Sequence, residues 1–384
     1  MIYLDHNATS PVLPEVVNAM LPYFTHKAGN PSSVHGAGRS AREGLDMARR
    51  QVATALSVRD SQVIFTSGGS EANNLAILGM AGQTYWRGKI ITSQVEHPSV
   101  LQPCLYCEQQ GMEVVRLPVN QQGLVSLEGL GQALTPDTVL VSIMHANNET
   151  GVLQPIAELA ALCQQAGIPF HCDAVQTVGK IPVQMADLGV QLLSLSGHKF
   201  GGPKGAGALL VDGRLTLQPR ILGGGQERGR RAGTENVPAL VGLAHALLAS
   251  QKNMASEMER LSSLRHDLEE ALTRSLPQAV ILGRETPRLP NTTALLLPGM
   301  DGETLVMSLD LAGLAVSSGS ACSSGKASSS HVATAMGFSH SMASGLLRIS
   351  MGWNTKPEEI QRLVPTLTKT VNKLASLSGI KGYG

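Results

Sequence analysis

The sequence predicts an α/β protein with a mainly parallel seven-stranded sheet in a large domain, plus a smaller α/β domain. Three observations predict it. Between residues 60 and 215, short runs rich in Val, Ile and Leu alternate with segments whose apolar residues recur near a 3.6-residue period. Strands alternating with helices imply parallel pairing under helices on both faces. The chain has 384 residues, 42% of them hydrophobic, enough for a large core and usually for two domains. A long helical pattern from Pro238 to Ser275 then leads into a second part.

QVIFTS, KIITSQ, EVVRLP, TVLVSIM, PFHCDA, QLLSLS and GAGALLV read as the seven strands. EANNLAILGMAG, SVLQPCLYCEQQG and PIAELAALCQQAG read as helices between them. In the second part NTTALLLP, GLAVSS and LLRISMG look like strands, with helices around ETLVMSLD and SHVATAMG. PEEIQRLVPTLTKTVNKLASL is a well-patterned amphipathic helix behind a Thr-Lys-Pro start. The expected division is 15–250 for the large domain and 1–14 with 251–384 for the small one, the N-terminal residues packing back. Gly201 to Gly207 and Gly223 to Gly233 read as loops, where a rigid scaffold usually carries its chemistry.

Composition excludes several functions. Thirty Lys and Arg against twenty-nine Asp and Glu give a formal charge of +1, without the basic face of a nucleic-acid binder. The cluster Arg228, Arg230, Arg231 is local and suits a small anion equally well. No run of about eighteen apolar residues occurs, and MIYLDHNATSPV lacks the features of a signal peptide. The expectation is a cytoplasmic protein, away from membranes and without direct nucleic-acid contact. Five cysteines are too sparse for a disulfide framework. Cys104 and Cys107 form a lone C-x-x-C on a predicted helix, which packing explains, so no metal site is expected.

Four segments carry candidate chemistry. SLSGHKFGGPKG presents Lys199 at a strand end beside glycines; an activated lysine there can form a Schiff base, although most lysines are surface residues. PFHCD ends a buried strand at Asp173, where a carboxylate needs a partner. That partner could be a pyridinium nitrogen or the first N–H groups of a helix. FTSGGSEANN places glycines and Ser70 between strand and helix, a geometry that favours phosphate but also describes an ordinary turn. It is neither a Walker loop nor G-x-G-x-x-G, which argues against a P-loop or dinucleotide-binding protein. VSSGSACSSGKASSSH sets Cys322 among small polar residues, where an accessible thiolate could act as nucleophile.

Together YLDHNAT, GNPSSVH, FTSGGSEANN, EHPSV, HANNETG, HCDAVQ, SGHKFGGPKG, GGGQERGRRAGTEN and SSGSACSSG resemble the cysteine desulfurases. These are class V aminotransferases of fold type I that use pyridoxal 5'-phosphate (PLP). The similarity runs in order from residue 3 to at least 375, and SSGSAC matches the nitrogenase and iron–sulfur branch. The resemblance implies that Lys199 holds the cofactor, Asp173 pairs with its ring nitrogen and Gln176 with its phenolic oxygen. It implies that His97 stacks on the ring and aids proton transfer, and that Gly69, Ser70, Ser196 and His198 hold the phosphate. Thr234 would reach the phosphate of a partner subunit, hence a homodimer. Asn148 and Arg348 would receive the carboxylate of L-cysteine, a pairing that suits a planar guanidinium.

Cys322, on a loop of about 317–332, would take the sulfur as a persulfide, release L-alanine, and pass the sulfur to an acceptor protein, meeting an iron–sulfur cluster only transiently. A movable loop suits a residue that must visit both sites. Two features depart from the family. SSGKASSSHVATAMG lacks the Leu-Glu-Pro of well-known members, and the chain ends at GIKGYG where many carry a longer tail. Both bear on the acceptor and neither on the chemistry. A lyase of the same fold acting on selenocysteine is the nearest alternative activity. A non-catalytic relative would be expected to lack Lys199 or Cys322, and both are present.

Overall fold

A computed structural model describes residues 1–319 and 329–379 of the chain; Cys322 lies outside them. The chain opens with β1 (Ile2–Tyr3), α1 (Pro14–Met20) and α2 (Gly36–Ala55). The buried face of helix α2 is largely small: Ala41, Gly44, Ala48 and Ala53 around Leu45 and Val52. There follow β2 (Val63–Thr66), α3 (Gly69–Gln83), β3 (Lys89–Ser93), α4 (Pro98–Gln109), β4 (Glu113–Leu117) and α5 (Leu127–Ala133). Then come β5 (Thr138–Met144), α6 (Ile156–Gln165), β6 (Phe170–Asp173), β7 (Leu192–Ser196) and β8 (Gly207–Val211).

These strands form one seven-stranded sheet in the order β2-β8-β7-β6-β5-β3-β4. All are parallel except β8, which runs antiparallel to both β2 and β7. Alternation along each strand feeds two cores, since successive side chains leave opposite faces. Val63, Phe65, Leu193, Leu195 and Leu210 join α2 and α6 on one face. Ile64, Leu192, Leu209 and Val211 join α3 and α4 on the other.

Helix α7 (Val237–Ser275) has 39 residues, about 60 Å at 1.5 Å per residue, and serves both halves of the molecule. Leu240, Leu243 and Leu247 bury against the first core. Leu261, Leu264, Leu268 and Leu272, spaced by three or four, bury in another core with Ile2 and Leu4. The remaining elements are β9 (Val280–Ile281), β10 (Thr292–Leu296), α8 (Gly302–Leu311), β11 (Leu314–Ala315), β12 (Ser317–Ser318), α9 (His331–Ala335), α10 (His340–Ala343), β13 (Leu346–Ser350) and α11 (Pro357–Ser378). A four-stranded antiparallel sheet, β12-β13-β10-β9, forms here, while β1 pairs with β11 in parallel.

GLAVSS, expected as one strand, is two. Leu314–Ala315 belongs to the sheet with β1 and Ser317–Ser318 to the sheet with β13, because the chain changes partner between them. The packing-back of the N-terminus is observed in the pairing of Ile2 with Leu314. No helix among the described residues is long and apolar enough to cross a membrane.

Candidate active site

The parallel strands deliver their carboxyl ends to one edge of the sheet, where open α/β sheets bind ligands. A pocket of about 220 Å³ lies there, lined by Gly69, Ser70, Asn73, His97, Ser99, Met144, Ala146, Asn148, Asp173, Val175, Gln176, Ser196, His198 and Lys199. Nine residues predicted from sequence therefore meet in one cavity, although they are spread over 130 positions from Gly69 to Lys199.

Lys199 ends a single 3-10 turn (Gly197–Lys199) that continues from β7. Its Nζ donates to the backbone carbonyls of Asn7 at 2.6 Å and Ala8 at 2.9 Å. Asp173, the last residue of β6, accepts from Asn73 Nδ2 at 2.7 Å and from the Val175 N–H at 3.0 Å. The carboxylate thus makes the local turn bond that its position allows while also lining the pocket. Just behind it His171 is buried between the hydroxyls of Ser142 (2.8 Å) and Ser194 (2.9 Å), and burial pushes its pKa down to about 3. It remains a neutral support for the strand.

His97 caps α4, its Nδ1 accepting from the Ser99 N–H at 3.0 Å. Burial lowers its pKa; nearby Lys199, His331 and Arg348 add to this and Asp173 opposes it. Near neutral pH its ring is therefore uncharged, suited to a ring face or a proton relay. His198 is pushed down to about 4, mainly by burial and then by Lys199, Lys204 and Lys180.

A phosphate would find a place at the start of α3. Gly68 caps this helix without a side chain, so among the described residues its first N–H groups have no side-chain acceptor from the cap. Ser196 Oγ, buried and facing the same pocket, has no hydrogen-bond partner among the described residues. The chain can run this close because Gly207 lies against Gly68: a Cβ at Gly207 would sit 2.6 Å from Gly68 Cα.

Arg348 and Thr234 do not line this pocket. Arg348, on β13, lies behind Asn148, donating to its carbonyl at 3.0 Å and to Asp5 Oδ1 at 2.7 Å. Its buried Nε has no partner among the described residues. Thr234 is exposed, in the loop leading into α7. Two members of the arginine cluster are tied to their own chain. Arg231 pairs with Glu71 at 2.8 Å and Arg230 donates to the Ser61 carbonyl at 3.0 Å, beside a Glu227–Arg49 pair at 2.6 Å. Glu227 and Arg228 both hold left-handed backbone conformations, φ 48° and 58°, which cost free energy in non-glycine residues.

Several site residues carry no individual signal in the sequence. Asn7 connects the site: its carbonyl accepts from Lys199 and Gln176, and its Oδ1 from Lys180 at 2.9 Å. Its Nδ2 donates to the Asn148 carbonyl and Thr292 Oγ1. Asn73 orients Asp173. Glu149 is buried, accepts from the Ser330 hydroxyl, and has its pKa raised to about 7 by burial. All three lie inside conspicuous motifs, YLDHNAT, SEANN and NNET, and that membership is the only clue to them. Cys104, Cys107, Cys163 and Cys172 are buried, and burial raises the pKa of each, so they are packing thiols.

Comparison with known proteins places the chain in a family. The family described as aminotransferase class-V matches residues 2–363. A protein of Dictyoglomus turgidum named cysteine desulfurase IscS is 43% identical over 381 residues, covering 99% of this chain and 97% of its own. Among solved structures, one titled NifS-like protein superposes with a TM-score of 0.89 at 36% identity, covering 97% of this chain and 99% of its own. Another, SspA in complex with cysteine, gives 0.81 at 33% identity, covering 91% and 99%.

Proposed function

This chain belongs to the class-V aminotransferase family, and from that premise we propose that it is a PLP-dependent cysteine desulfurase. In the net reaction L-cysteine and the Cys322 thiol become L-alanine and a Cys322 persulfide. One observation carries the assignment of the pocket: the Lys199 amine, the Asp173 carboxylate, the uncapped start of α3 and the unpartnered Ser196 hydroxyl face one cavity. That set suits an aldehyde, a pyridine nitrogen and a phosphate carried by one small molecule.

When bound, PLP supplies an electron sink for the bonds around the amino-acid α-carbon. The protein's own groups do the rest. The Lys199 amine would hold the cofactor and would serve as the base that moves protons at the α-carbon. Asp173, kept in place by Asn73 and the Val175 N–H, would pair with the ring nitrogen, and Gln176 would pair with the phenolic oxygen. Neutral His97 would cover the ring. Gly69, Ser70, Ser196 and His198 hold the phosphate. Asn148 and Arg348 receive the substrate carboxylate, which competes with Asp5 for the guanidinium.

The Cys322 thiolate attacks the substrate sulfur. The new S–S bond forms as the C–S bond breaks, its electron pair passing to the substrate carbon, which is protonated on the way to alanine. The sulfur then passes to an acceptor protein such as an iron–sulfur scaffold or a thiolation partner. The same reading takes 15–250 as the cofactor domain and 1–14 with 251–384 as the smaller domain. It also includes a homodimer: Thr234 is exposed and not among the residues that line this chain's own pocket, as a residue serving a partner subunit would be.

The test is an absorbance scan of the purified protein before and after cysteine, with alanine and sulfide assayed from the same tube. A band near 400 nm, roughly where a protonated lysine–cofactor imine absorbs, that changes with cysteine while both products form supports the reading. A band without products points to a lyase of other specificity. No band, even with added PLP, overturns it.

A further inference from the structure

Lys180 is a second amine beside the pocket. Its Nζ donates to Gln176 Oε1 at 2.8 Å and to Asn7 Oδ1 at 2.9 Å. The charged groups that act on it are Lys199 and Arg348, and it acts in turn on His6 and His198. None of these is a carboxylate, so burial and like charge together lower its pKa. Placing a lysine here costs free energy without an ion pair in return. Its two hydrogen bonds suggest what it does.

Gln176 Nε2 donates to the Asn7 carbonyl at 3.0 Å. With Lys180 protonated, turning this amide over would set its NH₂ against the ammonium and its carbonyl against that of Asn7. Two hydrogen bonds would become two repulsive contacts, each costing at least what a bond contributes. The orientation is therefore dictated from outside the pocket. Nε2 also carries a second hydrogen, and no acceptor takes it among the described residues. Gln176 lines the same cavity as Lys199 and Asp173.

We infer that Lys180 is a positioning residue that locks the Gln176 amide so that an N–H, never the carbonyl, meets the phenolic oxygen of bound PLP. This rests on the cofactor reading above. A donor at that oxygen withdraws electron density from the conjugated system and lowers the proton affinity of the nitrogen linked to Lys199. The lock thus acts on the colour of the cofactor as well as on turnover.

The test is a pH titration of the visible band in the purified holoenzyme, its Lys180→Met, Lys180→Arg and Gln176→Ala variants, and the Lys180→Met/Gln176→Ala double variant. Lys180→Met should raise the midpoint by about one pH unit, the scale of one lost hydrogen bond to a charged group. Gln176→Ala should raise it similarly, and the double variant no further, since both act through one amide. Lys180→Arg keeps a cationic donor and should hold the midpoint near that of the parent. A normal band with an unmoved Lys180→Met midpoint, or shifts that add in the double variant, overturns the inference alone. If Lys180→Met does not fold, an Lys180→Arg midpoint displaced as far as that of Gln176→Ala overturns it. No band in the parent protein overturns the cofactor reading and this inference with it.

Discussion

The Lys199 ammonium donates to the backbone carbonyl of Asn7 at 2.6 Å, across 192 positions of sequence. The N-terminal segment is thereby part of the site. It reaches the pocket because β1 is held by β11 and Asp5 bridges to Ser350, while the Asn7 N–H donates to Ser350 Oγ at 3.0 Å. Lys199 is positioned jointly by the end of β7 and by the N-terminal segment that pairs with β11.

Replacing Asn7 by Ala should destabilise the fold by about 2–4 kcal/mol, because the Asn148 carbonyl, Thr292 hydroxyl, Asn291 amide and Lys180 amine each lose a buried or half-buried partner. Urea denaturation measures this. A midpoint equal to that of the parent protein would mean that the contacts are replaced by water at no cost.

Ser196→Ala separates binding from stability. Its hydroxyl makes no hydrogen bond within the described protein, so the cofactor-free variant should unfold with the parent. Affinity for PLP, followed by absorbance, should fall about tenfold, the worth of one hydrogen bond to a charged group. Equal affinity removes Ser196 from the phosphate site.

Cys322→Ala should keep the cofactor band and lose alanine and sulfide production, while Lys199→Ala should abolish the covalent adduct that borohydride traps. Mass spectrometry of the trapped protein checks the second. Normal turnover in the first, or trapping on another lysine in the second, refutes the corresponding assignment.

Arg348→Ala should raise KM for cysteine by about 10–100-fold, the range for losing one carboxylate–guanidinium pair. Steady-state kinetics over a range of cysteine concentrations decides it. An unchanged KM leaves Arg348 as a structural partner of Asp5 and Asn148.

Glu149 predicts a pH dependence. Burial raises its pKa from 4.5 to about 7. Between these values the folded protein holds a proton that the unfolded chain has released, so stability falls as pH rises from 4.5 towards 7 and is then level. Glu149→Gln abolishes this loss. The variant should gain on the parent across that window by on the order of 3 kcal/mol, read from urea denaturation at pH 5 and pH 8. A difference that does not change with pH means the carboxylate is ionised in both states.

Much was legible in the chain by itself. Short strands of Val, Ile and Leu, alternating with helical periods, specified the α/β class, because burial on both faces of a parallel sheet leaves that pattern. Lys199 and Asp173 could be named because each lies at or just past the end of a predicted strand, while Gln176 and Ser196 could be named only through the family resemblance their motifs carry. Only the tertiary structure decided which polar side chains meet. Asn7 beneath Lys199, Asn73 on Asp173 and Lys180 on Gln176 are pairings between residues whose types permit many partners. Hydrogen bonds are short-ranged and directional, so such partners are chosen by where packing brings the backbone, and a linear sequence does not carry that distance.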